Sequence, residues 1–262
     1  MLKIFLSTVL LLASLPGMGQ ILKKPIPEKT VVLTFDDGVA SHYSTVAPLL
    51  LEYGFGGTFF VCEFPPNFYD STLYMNWRQI QQLDRMGFDV ANHTHHHAAV
   101  GNLTEEEILE EITYIEEKCE TLGIKAPLGF AYPGYSMSET VLEVLAKKNY
   151  LFARAGGSRA YNPLEDHPYL IPSWATDSKN EKEILEALKQ AKNGNIVVLT
   201  IHGVPDLEHP LVNTPPKMFN RYLEFLKRHK YNVISLKQLT AYIDFKEARN
   251  QFKADLNKGL KN

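Results

Sequence analysis

The stretch "VVLTFDDG", residues 31–38, sets a short β-branched and aromatic run directly against two acids and a glycine. The run reads as a strand, and the acids mark the point where the chain leaves it. A helix-like "STVAPLLLEYG" follows, and the pattern then repeats. "GTFFVC" (57–62) precedes "NWRQIQQLDRMG", "FDVAN" (88–92) precedes "TEEEILEEITYIEEKCETLG", and "GFAYP" (129–133) precedes "SETVLEVLAKKN". "YLFARA" (150–155), "NEKEILEALKQAKNG", "NIVVLTIH" (195–202), "KMFNRYLEFLKRHK" and "YNVISL" complete the series. Strands alternating with helices call for a parallel sheet. Seven or eight such units without a linker predict an α/β fold, a distorted (β/α) barrel.

A chain of 262 residues with 45% hydrophobic and 22% charged content can bury one sizeable core, so a single domain is expected. The net charge of -3 provides no basic field for nucleic acid. Lys3, the apolar "IFLSTVLLLASL" and the small residues of "PGMGQ" have the layout of a secretory signal peptide, too short to span a bilayer. Residues 1–19 are therefore expected to be removed. Residues 20–262 would form the exported domain, periplasmic or extracellular, monomeric and free of the membrane. Cys62 and Cys119 are too few for a disulfide scaffold and read as buried thiols. Thr104 and Glu107 form a capping box that starts a helix.

In such a barrel the active site lies at the C-terminal strand ends. "DDG" ends the first strand, "NHTHHH" (92–97) the third, "PGY" (133–135) the fourth, "ARAGG" (153–157) the fifth, and "IHG" (201–203) a late one. Asp36 and Asp37 point apart if the chain stays extended, but a turning loop lets both reach one site. His93 and His97 are four apart and meet if the chain enters a helical turn, with His95 and His96 as competitors. His202 would face the same opening, where a general acid is needed. The loop 203–216 is long for this fold and is expected to cover part of the groove.

These motifs resemble those of the polysaccharide deacetylases that share the NodB homology domain, carbohydrate esterase family 4, over roughly residues 30–240. "TFDDG" is similar to the first motif, which implies Asp36 as catalytic base and Asp37 as metal ligand. "HTHHH" is similar to the second, implying His93 and His97 as ligands and His95 and His96 as bystanders. "LTIH" is similar to the last, implying Leu199 in the acetyl pocket and His202 as acid. Two motifs depart from the pattern. "AYPGY" (131–135) has Ala131 where the family has the arginine that orients the base, and "SWATD" (173–177) is a remnant of the fourth motif.

The resemblance implies a divalent metal, with zinc the expected ion, and removal of acetyl groups from an N- or O-acetylated carbohydrate. It also implies that Gly134 supplies an oxyanion N–H, with Tyr135 and Trp174 at the substrate. Arg154, on the strand expected beside "GFAYP", would replace the missing arginine. The competing expectations are a non-catalytic carbohydrate-binding relative and a hydrolase of another non-peptide amide.

Overall fold

A computed structural model describes residues 20–259 of the protein, so the expected signal peptide lies outside the described residues. Strands β1 (Thr30–Phe35), β2 (Thr58–Val61), β3 (Asp89–Asn92), β4 (Gly129–Ala131), β5 (Phe152–Gly157), β6 (Ile171–Ala175) and β7 (Val197–Ile201) pair in parallel in sequence order. β7 returns to β1 and closes the ring. An eighth strand, β8 (Asn232–Ile234), lies along Thr30–Val32 of β1, while β2 pairs with Thr34 and Phe35 of the same strand. Two strands thus share one edge of β1, which is the distortion of the barrel.

Among the described residues seven α-helices accompany the strands: α1 (Ala47–Tyr53), α2 (Trp77–Arg85), α3 (Glu105–Thr121), α4 (Glu139–Lys147), α5 (Glu181–Leu188), α6 (Pro216–Arg228) and α7 (Phe245–Gln251). α3 begins with the expected capping box, Thr104 Oγ1 accepting from Glu107 N and Glu107 Oε2 from Thr104 N. Strand alternation separates two core layers. Val31, Leu33 and Phe35 pack outward with helix residues such as Leu50, Leu83 and Phe219. Val32, Phe60, Ala91, Ala131 and Val198 pack together inside the ring. Cys62 and Cys119 are buried free thiols.

β6 is absent from the strand series read in the sequence. No α-helix separates it from β5, and Pro172 interrupts its pattern, so neither the alternation nor the composition marks it. Among the described residues no helix is long and apolar enough to cross a membrane.

Candidate active site

Asp36 continues the inward face of Val32 and Thr34, and its N–H still bonds the Ile201 carbonyl at 3.0 Å. Extended geometry would aim Asp37 outward toward the helices. The backbone instead turns left-handed at Asp37 (φ 73°) and Gly38 (φ 66°), so both acids reach the barrel mouth. Asp is among the few side chains that tolerate this conformation.

His93 and His97 also meet, but no helical turn joins them. Left-handed residues at Thr94 (φ 66°) and His97 (φ 54°) fold the segment back. Asn92 Oδ1 accepts from Thr94 N (2.8 Å) and Thr94 Oγ1 from Ala98 N (2.9 Å), which pins the turn. The two Nε2 atoms then lie 3.3 and 3.4 Å from Asp37 Oδ1. His93 Nδ1 donates to the Ala131 carbonyl at 2.8 Å, so Nε2 keeps its lone pair.

Asp37, His93 and His97 are the one set of three candidate metal donors that comes together among the described residues, all within 4.8 Å. Burial alone would raise the Asp37 carboxyl, but the imidazoles of His93, His202 and His97 around it outweigh burial and hold the group far below its usual range. His97 is pushed down to about 4, chiefly by burial and then by the His93 charge. A buried carboxylate and two imidazole nitrogens, with Asp37 Oδ1 lacking a hydrogen-bond partner, fit a divalent cation. His95 and His96 turn elsewhere. His95 stacks on Tyr114 and faces Glu63, while His96 Nδ1 donates to Glu111 Oε1 at 2.9 Å.

The Arg154 guanidinium hydrogen-bonds Asp36 Oδ2. Arg154 sits directly opposite Ala131 in the β4–β5 register, the position at which the motif arginine is missing. Its guanidinium carbon lies 5.4 Å from the Phe60 ring and 5.6 Å from the Tyr135 ring, and both side chains of the ion pair are buried. Tyr135 can lean this way because Gly156 has no side chain: a Cβ there would stand 3.2 Å from the ring.

His202 Nε2 lies 3.9 Å from Asp37 Oδ2, while His93 and His97 face Oδ1 of the same carboxylate. A cavity of about 470 Å³ opens over Asp37, His97, Gly134 and His202. The loop after β7 lines it too, through Glu208 to Val212.

Two expected residues are placed differently. Leu199 stands three residues before His202, so alternation puts it on the opposite face of β7, in the outer core layer. Trp174, its partner across β6–β7, packs in that same layer. The side chain two residues before His202 is Thr200, whose hydroxyl meets Ser173 Oγ at 2.7 Å.

Other contributors gave no recognisable signal in the sequence. His42 Nε2 donates to the His202 carbonyl at 2.9 Å, fixing the backbone of the candidate acid. Glu63 accepts from Trp77 Nε1 and Tyr114 OH, both at 2.7 Å, and faces His95. Phe64 packs between His97 and His209.

The sequence model of the family described as polysaccharide deacetylase matches residues 23–153, half of the chain. The chain belongs to the polysaccharide deacetylase family. Similar to this family member is a peptidoglycan-N-acetylglucosamine deacetylase of Bacillus cereus, 25% identical over 225 residues, spanning 83% of this chain and 91% of the relative. Among solved structures, the family 4 carbohydrate esterase domain of a multidomain xylanase from the hindgut metagenome of Trinervitermes trinervoides superimposes with a TM-score of 0.58. It is 23% identical and covers 81% of this chain and 90% of that one. A family 4 pseudoenzyme from Bacillus anthracis shares the fold at TM-score 0.57 and 17% identity, over 84% of this chain and 67% of that one.

Proposed function

We propose that the chain is an exported, metal-dependent hydrolase that removes acetyl groups from an N- or O-acetylated carbohydrate and releases acetate. The observation that carries this reading is the Arg154–Asp36 pair seated beside Asp37, His93 and His97. A base and a metal donor set share one barrel mouth, with His202 across from them.

Asp37, His93 and His97 would hold a divalent ion, with zinc the best match to one carboxylate and two imidazoles. Bound there, the ion supplies Lewis-acid polarisation of the water and of the acetyl carbonyl. Asp36 takes a proton from the attacking water, and Arg154 holds the carboxylate fixed in direction. The Gly134 N–H donates to the carbonyl oxygen as negative charge develops on it. His202 gives a proton to the leaving nitrogen or oxygen as its bond to the acetyl carbon breaks. Acetate and a free amine or hydroxyl result.

The loss of the motif arginine at Ala131 is the departure that favours a non-catalytic relative, and the guanidinium of Arg154 offsets it. N-acetylglucosamine polymers are the first substrates to test, given the activity named for the Bacillus cereus relative. Acetate release is measured across chitin oligomers, β-1,6 N-acetylglucosamine polymer, peptidoglycan and acetylxylan, before and after treatment with a chelator. Release that ceases on chelation and returns with zinc is the expected result. Tight glycan binding with no acetate from any substrate would mean a binding protein.

A further inference from the structure

The connection from β7 to α6 is fastened at several points. Thr214 N donates to the Gly203 carbonyl at 3.1 Å and closes the base of the loop, while Thr214 Oγ1 meets Thr176 Oγ1 at 2.7 Å. Val204 N donates to Ser41 Oγ at 2.7 Å and Asn67 Nδ2 to Glu208 Oε1 at 3.0 Å, tying the loop to those after β1 and β2. Within it the buried Asp206 accepts from Gly203 N at 3.2 Å and from His209 N at 2.8 Å. The oxygen that takes His209 N also lies 3.4 Å from His209 Nδ1. The loop is a preformed wall.

His209 is therefore oriented before any ligand arrives. Nδ1 is buried and makes no hydrogen bond to the carboxylate at that distance, so Nε2 is the ring nitrogen left to meet an outside partner. The ring packs on Phe64 at 4.9 Å between centroids, and Phe64 packs on His97 at 4.7 Å. His209 thus opens into the same cavity as the acids while standing outside the metal-donor cluster, its side chain 30% exposed against 5% for Asp37. Beside it Pro210 and Leu211 make an apolar wall, and Leu211 runs out to solvent at 87% exposure. None of these side chains has a part in the chemistry proposed above.

A pyranose ring presents apolar C–H faces and a rim of hydroxyls, which a flat apolar wall and one fixed imidazole match. We propose that His209, oriented by Asp206, is a specificity-determining residue whose Nε2 hydrogen-bonds a hydroxyl of the sugar next to the one that loses its acetyl group. The ligand class rests on the carbohydrate reading above; the position follows from His209 standing at the cavity mouth.

The test uses the zinc-loaded full chain with N-acetylglucosamine and its tetramer. One lost hydrogen bond corresponds to roughly a tenfold change in affinity. His209→Ala should raise KM for the tetramer by about that factor, so that the preference for tetramer over monomer shrinks while bound zinc is unchanged. His209→Gln places an amide near the position of Nε2 and should recover part of the preference. Calorimetric titration of the tetramer into Asp36→Asn, with and without His209→Ala, reads binding apart from turnover. Tetramer binding that weakens about tenfold with His209→Ala, when the zinc-loaded wild type releases no acetate from any substrate, supports His209 and sinks the deacetylase reading. Acetate release with an unchanged tetramer preference does the reverse.

Discussion

Ala131 and Arg154 face each other across β4 and β5, and the Arg154 guanidinium reaches Asp36. The pair is buried, and removing one member leaves the other uncompensated. Arg154→Ala should cost about 3–5 kcal/mol of stability and lower kcat, and adding Ala131→Arg should restore part of both. Urea unfolding and turnover on a verified substrate check this; wild-type turnover in the single variant would remove Arg154 from the mechanism. Asp36→Asn should lower kcat roughly 10²–10⁴-fold with bound metal unchanged, since it removes a base and no ligand. The four clustered histidines divide the same way. His93→Ala and His97→Ala should lose the metal, whereas His95→Ala and His96→Ala, whose rings serve Glu63 and Glu111, should keep it. Metal analysis of the purified variants decides, and equal loss in all four would indicate a diffuse tract. Asp36, Asp37, His93, His97 and His202 were legible because each is a chemically distinctive residue at a strand end. Leu199 lies on the outer face because β7 alternates, which its motif position does not show, and Trp174 sits on β6, a strand that the sequence does not mark. Asp206 and His209 were not legible, since only the path of the loop brings that carboxylate behind that ring.

At the scale of elements, the strands bounded by acids, glycine or histidine could be read, and β6 could not, because a long non-helical connection replaces the expected helix. The His93–His97 spacing suggests a helical turn, yet left-handed Thr94 and His97 bring the rings to 5.0 Å between centroids without one. Register matters more than either, because it sets Arg154 opposite Ala131 on β4. Gly129 guards that alignment: it lies opposite Phe152, and a Cβ there would fall 2.2 Å from the Phe152 ring. Gly129→Ala should therefore destabilise the protein by about 1–3 kcal/mol, the usual cost of overpacking, and reduce turnover as the Arg154–Asp36 contact shifts. Adding Phe152→Leu should recover part of the stability. An unchanged urea midpoint in Gly129→Ala would show that the ring moves aside freely.

Across the whole molecule the barrel separates chemistry at one end from fastening at the other. Asp89, at the start of β3, belongs to the second end: its Oδ2 accepts from Thr58 Oγ1 at 3.0 Å and from Lys237 N at 3.2 Å, linking β2, β3 and the segment after β8. Burial pushes its carboxyl up to about 6 from an ordinary 3.8, against the opposing Thr58 and Lys237 interactions. The native state thus binds a proton more tightly than the unfolded chain does. Stability associated with this group is fully present below the unfolded value and is lost as pH rises through about 6. At neutral pH the ionised Asp89 costs on the order of 3 kcal/mol, a burden that an amide in its place would not carry. Asp89→Asn retains an oxygen for both donors, so it should be more stable than the wild type at pH 7.5, and the gap should close as the pH falls toward 4. Urea midpoints of the two proteins, measured in chelator so that metal occupancy does not vary, give the gap at each pH. A gap that stays constant across the range would assign the ionisation of Asp89 no part in stability.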